Sequence, residues 1–206
     1  SSFFPWPIDR GAPARVAMAL RAPNAATDLT VMAVAREDTR PGDVERLQEM
    51  LPGAEILSFR PAIGDRIRGV RAWRWVASLL RATPSWILNR ESKALGRRAR
   101  ELSEDFDGAI LLGEAAGVYA GQLRCPVLWD KSNVLGASVS EEVSTVTSWF
   151  QRTRLRLIAR LSRAYERRVL KSINLVSVTS ADEARRFESL YDRRADYINQ
   201  SAVAPA

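Results

Sequence analysis

Short apolar, β-branched runs alternating with helical stretches constrain this chain more than any other feature. The runs fall at 29–35, 55–59, 108–113, 126–130 and 174–179, with a weaker one at 196–199. They lack polar alternation, which is the pattern of strands covered on both faces, as in a parallel sheet. Helical periodicity fills the gaps, at about 13–22, 41–51, 65–82, 89–104, 114–123, 151–172 and 180–191. This order predicts βαβ units and an α/β fold with a doubly wound, Rossmann-like parallel sheet. No internal repeat, low-complexity tract or Gly/Ser linker interrupts it, so one domain over 1–200 is the economical reading. The opening Ser1-Ser2-Phe3-Phe4 reads as the end of a truncated first strand, and 201–206, with Pro205, as the start of a linker. Ser180 and Glu183 have the spacing of a capping box at the start of a helix.

Composition limits the chemistry. The chain has no histidine, which removes a Ser-His-Asp triad, a Cys-His pair and any histidine-based metal site from it. Catalysis in this chain must use carboxylates, hydroxyls, the substrate's own groups or residues of another domain, and neither a cofactor nor a metal is expected. The lone Cys125 fits a reducing, cytoplasmic setting. No apolar run approaches the roughly 18 residues that read as a membrane span, and no signal peptide is recognisable.

The net charge of +7 is unevenly placed. Residues 60–100 carry +9 and residues 151–171 carry +7, which leaves −9 for the rest. A split of this kind points to a localised anionic partner rather than to general nucleic-acid binding. Over 151–171, Ile158, Leu161, Tyr165 and Val169 form an apolar stripe opposite Arg152, Arg156, Arg160, Arg163 and Arg167. Over 65–82, the helical spacing makes Ile67, Val70, Trp73, Ala77 and Leu80 the core stripe, with Trp75 and Leu79 pointing away. Large apolar groups among basic ones, Trp86 included, suit a membrane interface or an acceptor groove, so peripheral membrane contact through 60–100 is a further expectation.

Ligands of open parallel sheets bind beyond the carboxyl ends of the strands. That rule selects the loops at 5–15, 113–117, 130–133 and 179–182. In the first, Gly11 before a helix would let a phosphate or sugar approach backbone N–H groups. There is no G-x-G-x-x-G, which counts against a dinucleotide enzyme. Glu114 stands at a strand end, where it can contact an acceptor hydroxyl or stabilise a helix N-terminus. Asp130, Lys131, Ser132 and Asn133 form either a ligand-facing loop or a plain turn in which Asn133 caps a helix.

Four segments carry a resemblance. Phe4-Pro5-x-Pro7-x-Asp9-x-Gly11-x-x-x-Arg15-Val16 is similar to the glycine loop of retaining, GT-B-fold glycosyltransferases of family 4. Phe106 to Glu114, Pro126 to Val134, and Tyr165 to Asp182 resemble later motifs of that family in the same order. The resemblance implies the N-terminal, acceptor-side half of a GT-B fold, whose nucleotide-sugar domain lies outside this chain. It implies sugar transfer from a nucleotide-activated donor to an acceptor hydroxyl of a small molecule, lipid-linked molecule or glycan, with retention and no metal. Under it, Gly11 and Arg15 face the donor, Asp130 and Ser132 the reacting centre, and Glu114 and Asn133 the acceptor. Ser132 stands where many members have histidine, and a hydroxyl can hydrogen-bond but cannot titrate near neutrality. Asp130 or Lys131 could compensate. The alternative function is a non-catalytic α/β domain that binds an anionic ligand, nucleic acid or lipid.

Overall fold

Each of the six apolar runs forms a strand in the computed structural model, which describes residues 4–6, 11–35, 39–61 and 70–199. The order is α1 (Gly11–Ala26), β1 (Thr30–Val34), α2 (Pro41–Met50), β2 (Glu55–Phe59), α3 (Val70–Leu80), α4 (Ser85–Leu88), α5 (Lys93–Leu102) and β3 (Ala109–Leu112). A 3₁₀ helix (Glu114–Gln122) follows, then β4 (Val127–Lys131), α6 (Leu135–Thr145), α7 (Trp149–Leu170), β5 (Leu175–Val178), α8 (Ala181–Tyr191) and β6 (Tyr197–Ile198). The chain is thus an α/β protein whose paired strands all run parallel.

The strands form two hydrogen-bonded sheets among the described residues, not one. β1 pairs with β2, and β3, β4, β5 and β6 follow one another in a second sheet. The two sheets meet through side chains. Phe4 is buried in one cluster with Val31 and Ala33 of β1 and Leu112 of β3. The neighbouring Val34 and Leu111 belong instead to the larger core around Trp129, Tyr165 and Phe187. β1 and β3 therefore bury residues on both faces, as the unbroken apolar runs require. Residues 1–3, where the truncated strand was expected, lie outside the described residues.

Helix boundaries depart from expectation where backbone donors find unexpected partners. The stretch 89–104 begins as a helix only at Lys93, after Ser92 accepts the Leu95 N–H as its cap. The stretch 114–123 winds as a 3₁₀ helix. α6 was expected only in the reading that made Asn133 a helix cap; LGASVSEEVST has little apolar periodicity, and the cap position falls on Val134, which has no capping side chain. Distant carboxylates take over that role. Glu166 accepts the N–H groups of Leu135 at 3.2 Å and Gly136 at 3.0 Å, and Glu183 accepts that of Val134 at 2.5 Å. These are donors a helix N-terminus leaves unpaired, at the end its dipole makes favourable for an anion. The expected capping box is accordingly half-made: Ser180 caps Glu183 N–H at 3.1 Å, while the Glu183 carboxylate turns to Val134.

The stripe on α7 is as expected, with Leu161, Tyr165 and Val169 buried. That on α3 fails at Trp73, Leu80 and Trp75, while Leu79 points away as expected. Trp73 is 73% exposed and Leu80 83%, whereas Ser78 is buried and Trp75 half-buried beneath the Arg154 guanidinium at 5.9 Å. Both sides of α3 are apolar, so spacing alone could not decide which faces inward. Ile67 lies outside the described residues.

Candidate functional site

Strand alternation sends consecutive residues of β4 to opposite faces, and that separates two polar centres. Asp130 is paired in register with Ser177 of β5, and Lys131 with Val178. Asp130 therefore lies beside Ser177, whose hydroxyl donates to Asp130 Oδ1. Trp129 and Lys131 share the other face, where the Lys131 ammonium sits 3.8 Å from the Trp129 ring centroid.

On the first face, α1 delivers Arg15 to the carboxyl end of β4. Its Nη2 donates to Asp130 Oδ2 at 2.7 Å, and its Nη1 donates to Ser132 Oγ. Both partners of the ion pair are largely buried. Thr179, just past β5, donates to the Ser132 carbonyl at 2.9 Å, which fixes the loop backbone. Gly11 opens α1 one turn before Arg15, on the same side of the helix. Loop residues 7–10 lie outside the described residues.

Glu114 and Asn133 also meet. The Asn133 N–H donates to Glu114 Oε1 at 2.7 Å, while the Tyr165 hydroxyl donates to the Glu114 carbonyl at 2.8 Å. The Tyr165 side chain fills the space above Gly117, where a Cβ would come within 2.6 Å of its hydroxyl. Gly113, with φ of 84°, makes the turn that ends β3; a residue with a side chain rarely takes that conformation.

The second centre is deep. Lys131 and Glu166 form an ion pair with both side chains fully buried. Glu166 also accepts the Tyr191 hydroxyl besides the two N–H groups of α6. Burial first, and then the Glu166 charge, push both the Tyr165 and Tyr191 phenols well above their ordinary range. Both stay protonated and able to donate. Lys131 is thus committed to β4, α6, α7 and α8, and cannot stand in for a charge at Ser132.

Comparison of the chain with protein-family models and with curated proteins finds no match. The site must be read from its own geometry. Of the residues singled out in the sequence, Arg15, Asp130 and Ser132 come together, as do Glu114 and Asn133. Thr179 belongs to the selected loop at 179–182, while Ser177 and Glu166 were missed as site partners. The signal for Ser177 was a lone hydroxyl within an otherwise apolar strand; Glu166 lies in a segment of the resemblance, but its role did not show because its partners stand at least 25 residues away on other elements.

Chemically, Asp130 has a donor on each oxygen, so it acts as an anchor for Arg15. Ser132 accepts from a cation and has one O–H left to give. A hydroxyl polarised in this way is a stronger donor to a ligand oxygen than an isolated one. Among the described residues, no three Cys, Asp or Glu side chains gather as a group that could hold a metal ion.

Proposed function

We propose that this chain is the acceptor-side, Rossmann-like half of a two-domain retaining glycosyltransferase of the GT-B type. The observation that carries the reading is the meeting of Arg15, from the motif resembling the glycine loop, with Asp130 and Ser132. Two segments of the resemblance, 115 residues apart, thereby share one strand-end site. The parallel sheets and the position beyond a strand's carboxyl end support it, since this is where such folds bind ligands.

In this reading Arg15 supplies the positive charge that histidine supplies in many members, and delivers it through the Ser132 hydroxyl. Ser132 donates a hydrogen bond to a donor-sugar or phosphate oxygen. Asp130 is a positioning residue that holds Arg15, with Ser177 behind it. Gly11 lets the donor approach the first turn of α1, and Glu114 and Asn133 form the acceptor side. The bond between the sugar's anomeric carbon and the donor phosphate breaks as the bond to the acceptor oxygen forms. The acceptor's proton passes to the departing phosphate oxygen, so no strong protein base is needed. The nucleotide is held mainly by the second domain, and transfer takes place at the cytoplasmic side.

The test is to incubate the full-length protein with a panel of UDP-, GDP- and dTDP-sugars and follow nucleotide release. Turnover of one donor with a retained anomeric configuration supports the reading. Absence of turnover across the panel, or an inverted product, sinks it.

A further inference from the structure

α3 carries an apolar face that no element of the described structure covers. Trp73, Val76, Leu79 and Leu80 are all exposed and, at 100° per residue, fall within about a third of the helix circumference. The inward side is held by Ser78, whose hydroxyl donates to the Thr83 carbonyl at 2.5 Å, and by Trp75 under Arg154. α7 runs alongside. Arg154, near its start, covers Trp75, while Arg168, near its end, donates to the Arg81 carbonyl and to Thr83 Oγ1 just past the end of α3. About one turn before Arg154, Trp149 and Phe150 are exposed at 77% and 72%.

Charge decides what such a surface suits. The stretches around these two helices, 60–100 and 151–171, are the two strongly basic ones. Their described carboxylates are both engaged: Glu91 pairs with Arg81, and Glu166 is buried with Lys131. A second copy of this chain would bring like charges together across the contact. A nucleic acid would match the charge but leave the aliphatic Val76, Leu79 and Leu80 without a role. An anionic bilayer satisfies both features, with apolar and aromatic groups entering the headgroup boundary and arginines on the lipid phosphates. No helix of the described residues is long and apolar enough to cross a membrane, so the contact lies at the surface.

We propose that the outer face of α3 and the first turn of α7 dock on an anionic phospholipid bilayer. This does not depend on the transferase reading. The test is co-sedimentation of the full chain with phosphatidylcholine vesicles and with mixed phosphatidylcholine–phosphatidylglycerol vesicles, at low and high salt. Wild type should bind the mixed vesicles at low salt and the neutral ones far less. The Trp73→Ser/Leu80→Ser variant, changed only at exposed positions, should bind about tenfold more weakly or worse, with an unchanged circular dichroism spectrum. Absence of binding to the mixed vesicles overturns the proposal. So does binding that the double variant leaves intact, or light scattering showing that the same face instead joins two copies of the chain.

Discussion

Arg15 and Asp130 lie 115 residues apart and form a largely buried ion pair of 2.7 Å that ties the first helix to the end of β4. Removing one partner of such a pair leaves an uncompensated buried charge. Arg15→Ala should therefore cost about 3–5 kcal/mol of stability. Urea unfolding followed by circular dichroism measures it, and a loss below about 1 kcal/mol would mean that the pair is no more than a surface contact.

Lys131 and Glu166 make the stronger test of the buried architecture. Glu166→Gln leaves the ammonium with no carboxylate and weakens the acceptor for the first N–H groups of α6, so it should cost about 3–5 kcal/mol. Lys131→Met removes the cation and leaves Glu166 with its backbone and Tyr191 donors, so it should cost less. The double variant should be less destabilised than the sum of the two, and strict additivity in a double-mutant cycle would argue against direct coupling.

What could be read from the sequence, and what could not, follows the range of the interactions. β2 occupies the expected 55–59, and the other strands lie within a residue or two, because their signal is local composition. Asp130 and Ser132 could be named in advance because they stand at the carboxyl end of a strand, and Arg15 because it lies in the segment that resembles the glycine loop. Their mutual contact could not, since it depends on where α1 docks. α6 was not settled in advance because its N-terminal donors are satisfied by Glu166 and Glu183, from α7 and α8. Trp73 and Leu80 of α3 were misplaced because they look as core-like as any residue until their neighbours are known.

Two glycines should respond oppositely to alanine. At Gly117 a Cβ would meet the Tyr165 hydroxyl at 2.6 Å, Val169 Cγ1 at 3.0 Å and Trp129 Cζ2 at 3.1 Å. Gly117→Ala should cost about 1–3 kcal/mol through overpacking. At Gly42, inside α2, a Cβ would meet nothing within 4 Å, and alanine should stabilise by about 0.4–1 kcal/mol. Thermal or urea unfolding of the two variants compares them directly, and equal effects would contradict the packing described around Tyr165.

Alkaline pH should weaken the fold through Tyr165 and Tyr191. Their phenols are raised in the folded chain by burial first and then by the charge of Glu166. The folded state therefore keeps protons that the unfolded state releases above a pH of about 10. Stability from these groups is complete below that pH and falls as pH rises through the interval between the two values. The urea midpoint should fall as pH rises above about 10, and Tyr191→Phe should flatten the fall. An equal slope in wild type and variant would remove Tyr191 from the account.

If Arg15, Asp130 and Ser132 act together on a nucleotide-activated sugar, turnover in the full-length protein at saturating donor must respond to their substitution, in variants whose folding has been checked. Ser132→Ala removes the hydroxyl that links the Arg15 charge to the donor, a charge-assisted bond worth about 1.5–3 kcal/mol, and should slow the reaction by roughly ten- to a hundredfold. Asp130→Asn removes the charge that holds Arg15 and should be more severe, because Arg15 then loses its ion-pair partner. Wild-type turnover in both variants would contradict the account, because the strand-end cluster would then have no part in the reaction.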